Sequence, residues 1–248
     1  MEIMVENLRN KSIEKPLCEF AQRILVDFYG NISSVCVTGS ALTEDFVQGK
    51  SGINTVLVFE NESIELLDMI SRLGKLLSKN KFDMPLIMTT EHISRSRDVF
   101  GVEYLDFQLN HKTIWGKDPF ESLVISKNDV RLQCERELKA NLIRLRQGYV
   151  ASKISGVKLR DILVSGSRAL LPYLRAMLWL CDKPRIASIA TTVEDAAKEF
   201  GFDGSALNRI ANWKYEKMRT DAIELRESAS YLYNLTNNLA VWVDNCKV

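Results

Sequence analysis

The chain has 248 residues, 46% hydrophobic and 26% charged, with a formal net charge of +1. These are globular values that suit one large domain or two modest ones, and the near-neutral charge gives no overall field to gather nucleic acid or an anionic membrane. No apolar run approaches the ~20 residues of a membrane helix, and the start, Met1-Glu2-Ile3-Met4-Val5, lacks the basic region and apolar core of a signal peptide.

Cysteines stand at Cys18, Cys36, Cys134, Cys181 and Cys246. An odd number without a paired C-x-x-C spacing argues against a disulfide framework and against a zinc site. A reduced, cytoplasmic setting is expected, with Cys36 a small buried hydrophobe.

In chain order, residues 15–29 read as an amphipathic helix, with Leu17, Phe20, Ile24, Leu25 and Phe28 on one face. Pro16 suits its first turn and Gly30-Asn31 its end. Val35 to Val37 is a short apolar strand, expected to be covered on both sides. It runs into Gly39-Ser40, a brief helix, a polar loop, and a second apolar strand after Asn54. Asn61 to Asn80 reads as one helix with Ile64, Leu67, Ile70, Leu73 and Leu77 along its stripe. Met84 to Thr89 is the next strand, with Pro85 at its start. Thr90 to Arg97 is helical, with Thr90 as cap. Val102 to Leu109, rich in aromatic and branched residues, reads as a third core strand. His111 to Lys117 and Asp118-Pro119 form an exit.

From Asn128 helical periodicity replaces the strand signals. Leu138, Leu142, Leu145 and Tyr149 mark one face of a long helix. Residues 157–181 form a second, with Pro172 kinking it, and Pro184-Arg185 breaks the chain. Thr192 to Phe200 is a third, with Thr192 as cap; Ala206 to Trp213 is a fourth, and Arg219 to Val243 the last. Trp179, Trp213 and Trp242 are expected in the core. The change of period places a boundary near 120–127, giving a first domain over 1–122 and a helical bundle over 123–248.

A Gly-Ser step between strand and helix can cradle a phosphate: glycine lets the backbone approach, the hydroxyl donates, and the helix start favours an anion. Ser51-Gly52-Ile53-Asn54 enters the next strand eleven residues after Ser40. This layout resembles the nucleotidyltransferase superfamily, the polymerase-beta-like fold of the aminoglycoside nucleotidyltransferases, whose signature is Gly-Ser followed by Ser-Asp-x-Asp. The resemblance is specific over residues 34–60 and rests on element order beyond them. It implies an α+β protein, a small mixed-sheet domain followed by an all-α bundle.

The family's two metal-binding aspartates fall on Gly52 and Asn54. Paired carboxylates at i and i+2 of a strand hold two magnesium ions, whereas glycine has no side chain and asparagine offers one neutral oxygen. Magnesium sheds water reluctantly and is held through one or two carboxylates. The resemblance therefore implies a nucleotidyltransferase-like protein, catalytically degenerate, that binds a nucleoside triphosphate or a protein partner.

Gly39, Ser40, Lys50, Ser51, Gly52 and Asn54 are its candidate nucleotide-binding residues, although Lys50 reads more readily as a solvated loop lysine. Glu103, with Asp106 as the other choice, is the candidate third carboxylate on the assigned strand. Glu44 and Asp45 are substitute ligands, or acids favoured electrostatically by an early helix position. The alternative is an active transferase moving a nucleoside monophosphate onto a hydroxyl, which alone would require Mg2+. A further possibility is half of a complex in which another chain supplies the ligands.

His92 and His111 are the only histidines and lack a metal-ligand spacing. The basic stripe of Lys139, Arg144 and Arg146, continuing to Lys153 and Lys158, is interleaved with Glu135 and Glu137, as a solvated face is. Nucleic acid and membrane are not expected partners. A homo-oligomer or protein contact through the bundle is.

Overall fold

The computed structural model describes residues 2–6, 8–152, 155–183, 188–216 and 221–248. Lys153, the Pro184-Arg185 break and Arg219 lie outside them. The chain divides into two compact units: Met1–Asp98 with Phe107–Val124, and Val99–Asp106 with Ile125–Val248.

The first unit opens with α1, Glu14–Phe28, which buries Leu17, Phe20, Ala21, Ile24 and Phe28 as its 3.6-residue period dictates. Strands β1 (Ile32–Thr38), β2 (Asn54–Phe59), β3 (Leu86–Thr89) and β4 (His111–Gly116) form one sheet in the order β3-β2-β1-β4. β1 runs antiparallel to β2 and β4, and β2 parallel to β3, so the sheet is mixed. Val35 and Val37 join Leu57 and Phe59 in a core with the α1 side chains. Alternation therefore turns Cys36 and Thr38 to the other sheet face.

Four readings of this unit are corrected. Asn61 to Asn80 is two helices, α2 (Ile64–Ser71) and α3 (Gly74–Asn80), because Gly74 is a poor interior helix residue and the chain breaks before it. The cap of α4 (Thr90–Arg95) is Thr89, whose hydroxyl accepts from the His92 N–H at 3.0 Å. The stretch assigned as a third core strand is helix α5, Gly101–Leu109, burying Val102, Tyr104 and Leu105. The exit segment is itself strand β4, in which only Ile114 is fully buried. The first three residues of the 107–124 segment complete α5, so that helix begins in the second unit and ends in the first.

The second unit is otherwise a bundle of α6 (Lys127–Ser152), α7 (Gly156–Ala169), α8 (Leu171–Leu180), α9 (Ile189–Phe200), α10 (Gly204–Asn212) and α11 (Ala222–Asn245). Pro172 does not kink a long helix but stands in the first turn of α8, where its missing N–H costs nothing. Ser188, not Thr192, caps α9; Thr192 is fully buried and its hydroxyl donates to the Ser188 carbonyl at 2.7 Å. Asp203 and Asp221 cap α10 and α11. Trp213 is buried, while Trp179 and Trp242 are only partly so. Close approach of α6 and α7 needs glycine: a Cβ on Gly148 would meet Ile162 at 2.9 Å, and one on Gly166 would meet Leu145 at 2.9 Å.

Candidate functional site

The site is built where β1 ends and β2 and β4 begin. Thr38 pairs with Asn54 on one side and His111 on the other, so three polar residues stand abreast across three strands. Immediately after Thr38, Gly39 adopts φ +69 and opens a 3-10 turn, Gly39–Leu42. A side chain is disfavoured there by backbone conformation. It is also crowded: a Cβ on Gly39 would lie 3.2 Å from the Asn54 amide nitrogen. The Gly39 N–H faces the Asn110 carbonyl at 3.4 Å. The Ser40 hydroxyl and the Asn54 amide make no side-chain hydrogen bond among the described residues, and both are at least partly exposed. Gly39, Ser40 and Asn54 thus converge on one corner, with donors available to an anion.

Lys50 and Ser51 have other surroundings. The Ser51 hydroxyl accepts from the Val47 N–H at 3.0 Å and its own N–H donates to the Val47 carbonyl at 2.8 Å, closing the 47–51 turn. Lys50 is exposed on that turn. The turn is held to the next segment by Lys81, whose ammonium donates to the Gly49 carbonyl.

Gly52 has a neighbour that sequence reasoning missed. The parallel pairing of β2 and β3 extends past the strands: Ile53 bridges Phe82, and the Asp83 N–H donates to the Ile53 carbonyl at 3.1 Å. This carries the Asp83 carboxylate against the Gly52 α-carbon. A Cβ on Gly52 would fall 2.3 Å from one Asp83 oxygen and 2.5 Å from the other. An acid from the adjacent strand fills the space in which a side chain on residue 52 would start. Asp83 is exposed, and no local motif flagged it.

The other candidate acids are committed elsewhere. Glu44 pairs with Arg9 at 2.8 Å on the surface, and Asp45 accepts from the Thr43 hydroxyl at 3.1 Å. Glu103 lies on helix α5 rather than at a strand start, in the second unit. It accepts from the Gln133 amide at 2.5 Å, and the Gln133 oxygen accepts from the Val102 N–H at 2.8 Å. Asp106 pairs with Arg175 at 2.8 Å within that unit. Gln133 is itself buried, while Glu103 is exposed and Asp106 partly so.

Of the histidines, His92 is exposed on α4. His111 is nearly buried, with Nδ1 2.6 Å from the Phe107 carbonyl and Nε2 2.9 Å from both Asp118 oxygens. Asp118 also accepts from the Phe120 and Glu121 N–H groups at 2.8 and 3.1 Å. Both ring nitrogens face acceptors, so His111 pins the segment after β4. Burial pushes the Cys36 thiol, one row behind Thr38, up to about 12; its contact with Thr113 opposes the shift and the charge of Asp118 adds to it.

A pair of magnesium ions held by two carboxylates does not fit this donor set: Gly52 offers nothing, Asn54 is neutral, Asp83 brings a single carboxylate, and among the described residues no three histidine, cysteine or acidic side chains gather at one point.

No family model matches the sequence, and no curated protein matches it. Among solved structures the chain is similar to spectinomycin adenyltransferase from Enterococcus faecialis, solved with ATP and spectinomycin. The likeness has a TM-score of 0.56 at 12% identity and covers 90% of this chain and 98% of that one. The fold is nucleotidyltransferase-like. A mixed four-stranded sheet followed by helices, with a Gly-Ser turn at a strand end, is the nucleotidyltransferase-like arrangement that the motif over residues 34–60 implies. Among the described residues no helix is long and apolar enough to cross a membrane.

Proposed function

We propose that this protein binds a nucleoside triphosphate at the Gly39-Ser40 turn and lacks two-metal transfer chemistry. The observation that carries the reading is the corner itself: a left-handed glycine, an uncommitted hydroxyl and a neutral Asn54 amide in contact range of the turn. Backbone and side-chain donors of this kind favour phosphate oxygens. Two aspartates would repel the same oxygens unless cations stood between them, so their absence suits phosphate binding without metal. The similar adenyltransferase was solved with ATP, which supports a nucleotide as the ligand class.

Titration calorimetry with ATP, GTP, CTP and UTP, each with and without magnesium, tests this. Saturable binding whose strength changes by less than about tenfold on adding magnesium is expected, about 1.4 kcal/mol at most. Silence with all four, or binding that appears only with magnesium, overturns it.

Asp83 favours a second reading. Its carboxylate lies against Gly52, and strand pairing holds its backbone there. In a working transferase it would take the proton of an acceptor hydroxyl as that oxygen attacks the α-phosphorus and pyrophosphate leaves. Transfer of labelled nucleotide that is lost in Asp83→Asn, with nucleotide affinity retained, would establish this reading in place of the first.

A further inference from the structure

The bundle holds a cavity of about 390 Å³ between α6, α7 and α11, lined by no residue of the Gly39-Ser40 corner. Its floor is apolar, with Leu145, Leu159, Ile162 and Leu163 among the lining residues, and the charged side chains among those residues are Arg146 and Arg226. A half-enclosed apolar cavity of this size with a few convergent polar groups is the usual form of a small-molecule site.

The two arginines give the cavity its sign. Arg146 differs from its stripe neighbours Lys139 and Arg144, which pair with Glu135 and Glu137 at 2.6 and 3.2 Å. It instead donates to the Tyr233 hydroxyl at 3.0 Å and lies 5.4 Å from that ring's centroid. Neither Arg146 nor Arg226 has a carboxylate partner among the described residues. Tyr233 therefore holds one guanidinium at the wall with donors unspent, and a second guanidinium faces the same opening with no acid to neutralise it. Val150, also among the lining residues, is 70% exposed and makes the mouth apolar.

We propose that this cavity is a binding site for a small amphipathic carboxylate: an alkyl or aryl body on the leucine and isoleucine floor, and a carboxylate held between Arg146 and Arg226. The Arg–carboxylate fork supplies orientation, and burial of the apolar body supplies most of the affinity.

Decanoate below its micelle concentration is the probe, with decanamide as the neutral counterpart, read by calorimetry and thermal shift on the full chain. The wild type is expected to bind decanoate saturably and to bind decanamide at least about tenfold more weakly, the worth of one charge-assisted contact pair. The double variant Arg146→Gln, Arg226→Gln should lose that difference while keeping decanamide binding. Ala229→Trp should fill the cavity and abolish both. Should it fail to fold, Val150→Asp serves instead, since it changes an exposed side chain and places a negative charge at the mouth. No saturable binding, equal binding of both probes, or decanoate affinity untouched by the arginine double variant overturns the proposal. So does a concentration-dependent dimer that Val150→Asp dissociates, because the face would then be covered by a second copy.

Discussion

The carboxylate of Asp83 lies where a side chain on Gly52 would begin, so a side chain on residue 52 displaces it. Asp83 is exposed, and its short side chain can swing away at modest cost. Gly52→Ala is expected to destabilise by about 1 kcal/mol, and Asp83→Ala to remove that cost in the double variant, a coupling within the ~0.5–3 kcal/mol seen for touching residues. Urea unfolding of the four-member cycle measures it. Additive effects would show that the two side chains do not share the space. For the same reason, restoring an aspartate at 52 calls for removal of Asp83 in the same variant.

Gly116 ends β4 at φ +87, with the Ser33 carbonyl oxygen 2.0 Å from where its Cβ would stand. The obstacle is backbone of the paired strand and cannot rotate aside. Gly116→Ala should cost about 3 kcal/mol, combining a strained conformation with a forced strand shift. Gly39→Ala meets only the end of Asn54 and should cost about 1–2 kcal/mol, with nucleotide affinity falling in parallel. Equal losses at the two glycines would contradict this ordering.

Burial pushes the thiols of Cys36 and Cys134 from 9.0 up to about 12. Each stays protonated in the folded chain while the unfolded chain ionises. The stabilising contribution is therefore complete below pH 9 and lost as pH rises toward 12. Denaturant midpoints should decline over that interval, less steeply in Cys36→Ala when both are referred to their values at pH 8. At pH 8 a thiol reagent should modify the partly exposed Cys18, Cys181 and Cys246 and spare the two buried thiols until the protein unfolds.

Glu103 is expected to matter for stability and not for nucleotide binding. Glu103→Leu leaves the buried Gln133 amide without its acceptor, which should cost about 1–3 kcal/mol. Glu103→Gln keeps an acceptor oxygen and should cost less than half of that. Calorimetry with ATP should return the wild-type affinity for both; a tenfold loss in either would bring Glu103 back to the phosphate site.

The hydrophobic periods that made most elements legible are local, whereas the caps read at Thr90 and Thr192 fall on Thr89 and Ser188. Leu17, Phe20, Ile24 and Phe28 announce α1 because burial on one helix face needs that spacing. A Gly-Ser pair alone is an ordinary turn, and the Gly39-Ser40 turn stood out only through its spacing to Ser51-Gly52-Ile53-Asn54 at the start of the next strand. Val102 to Leu109 misled because valine, tyrosine, leucine and phenylalanine favour strands only when the surroundings supply a pleated surface. The buried set Val102, Tyr104 and Leu105 keeps helical spacing, and that period was the better signal. β4 escaped because polar His111, Lys112 and Thr113 conceal a strand whose one wholly buried side chain is Ile114. Asp83 and Gly52 meet through pairing of segments thirty residues apart, which no local pattern reports. The same holds for His111 and Asp118, brought together by the turn after β4.

Helix α5 changes allegiance between Asp106 and Phe107. No single cut in the chain therefore leaves both units whole. A fragment starting at Ile125 would strand Gln133 and Arg175 without Glu103 and Asp106, while one starting at Val99 must carry eighteen passenger residues that belong to the other half. Whatever ligand either half binds, its folding is entangled in sequence with that of its companion.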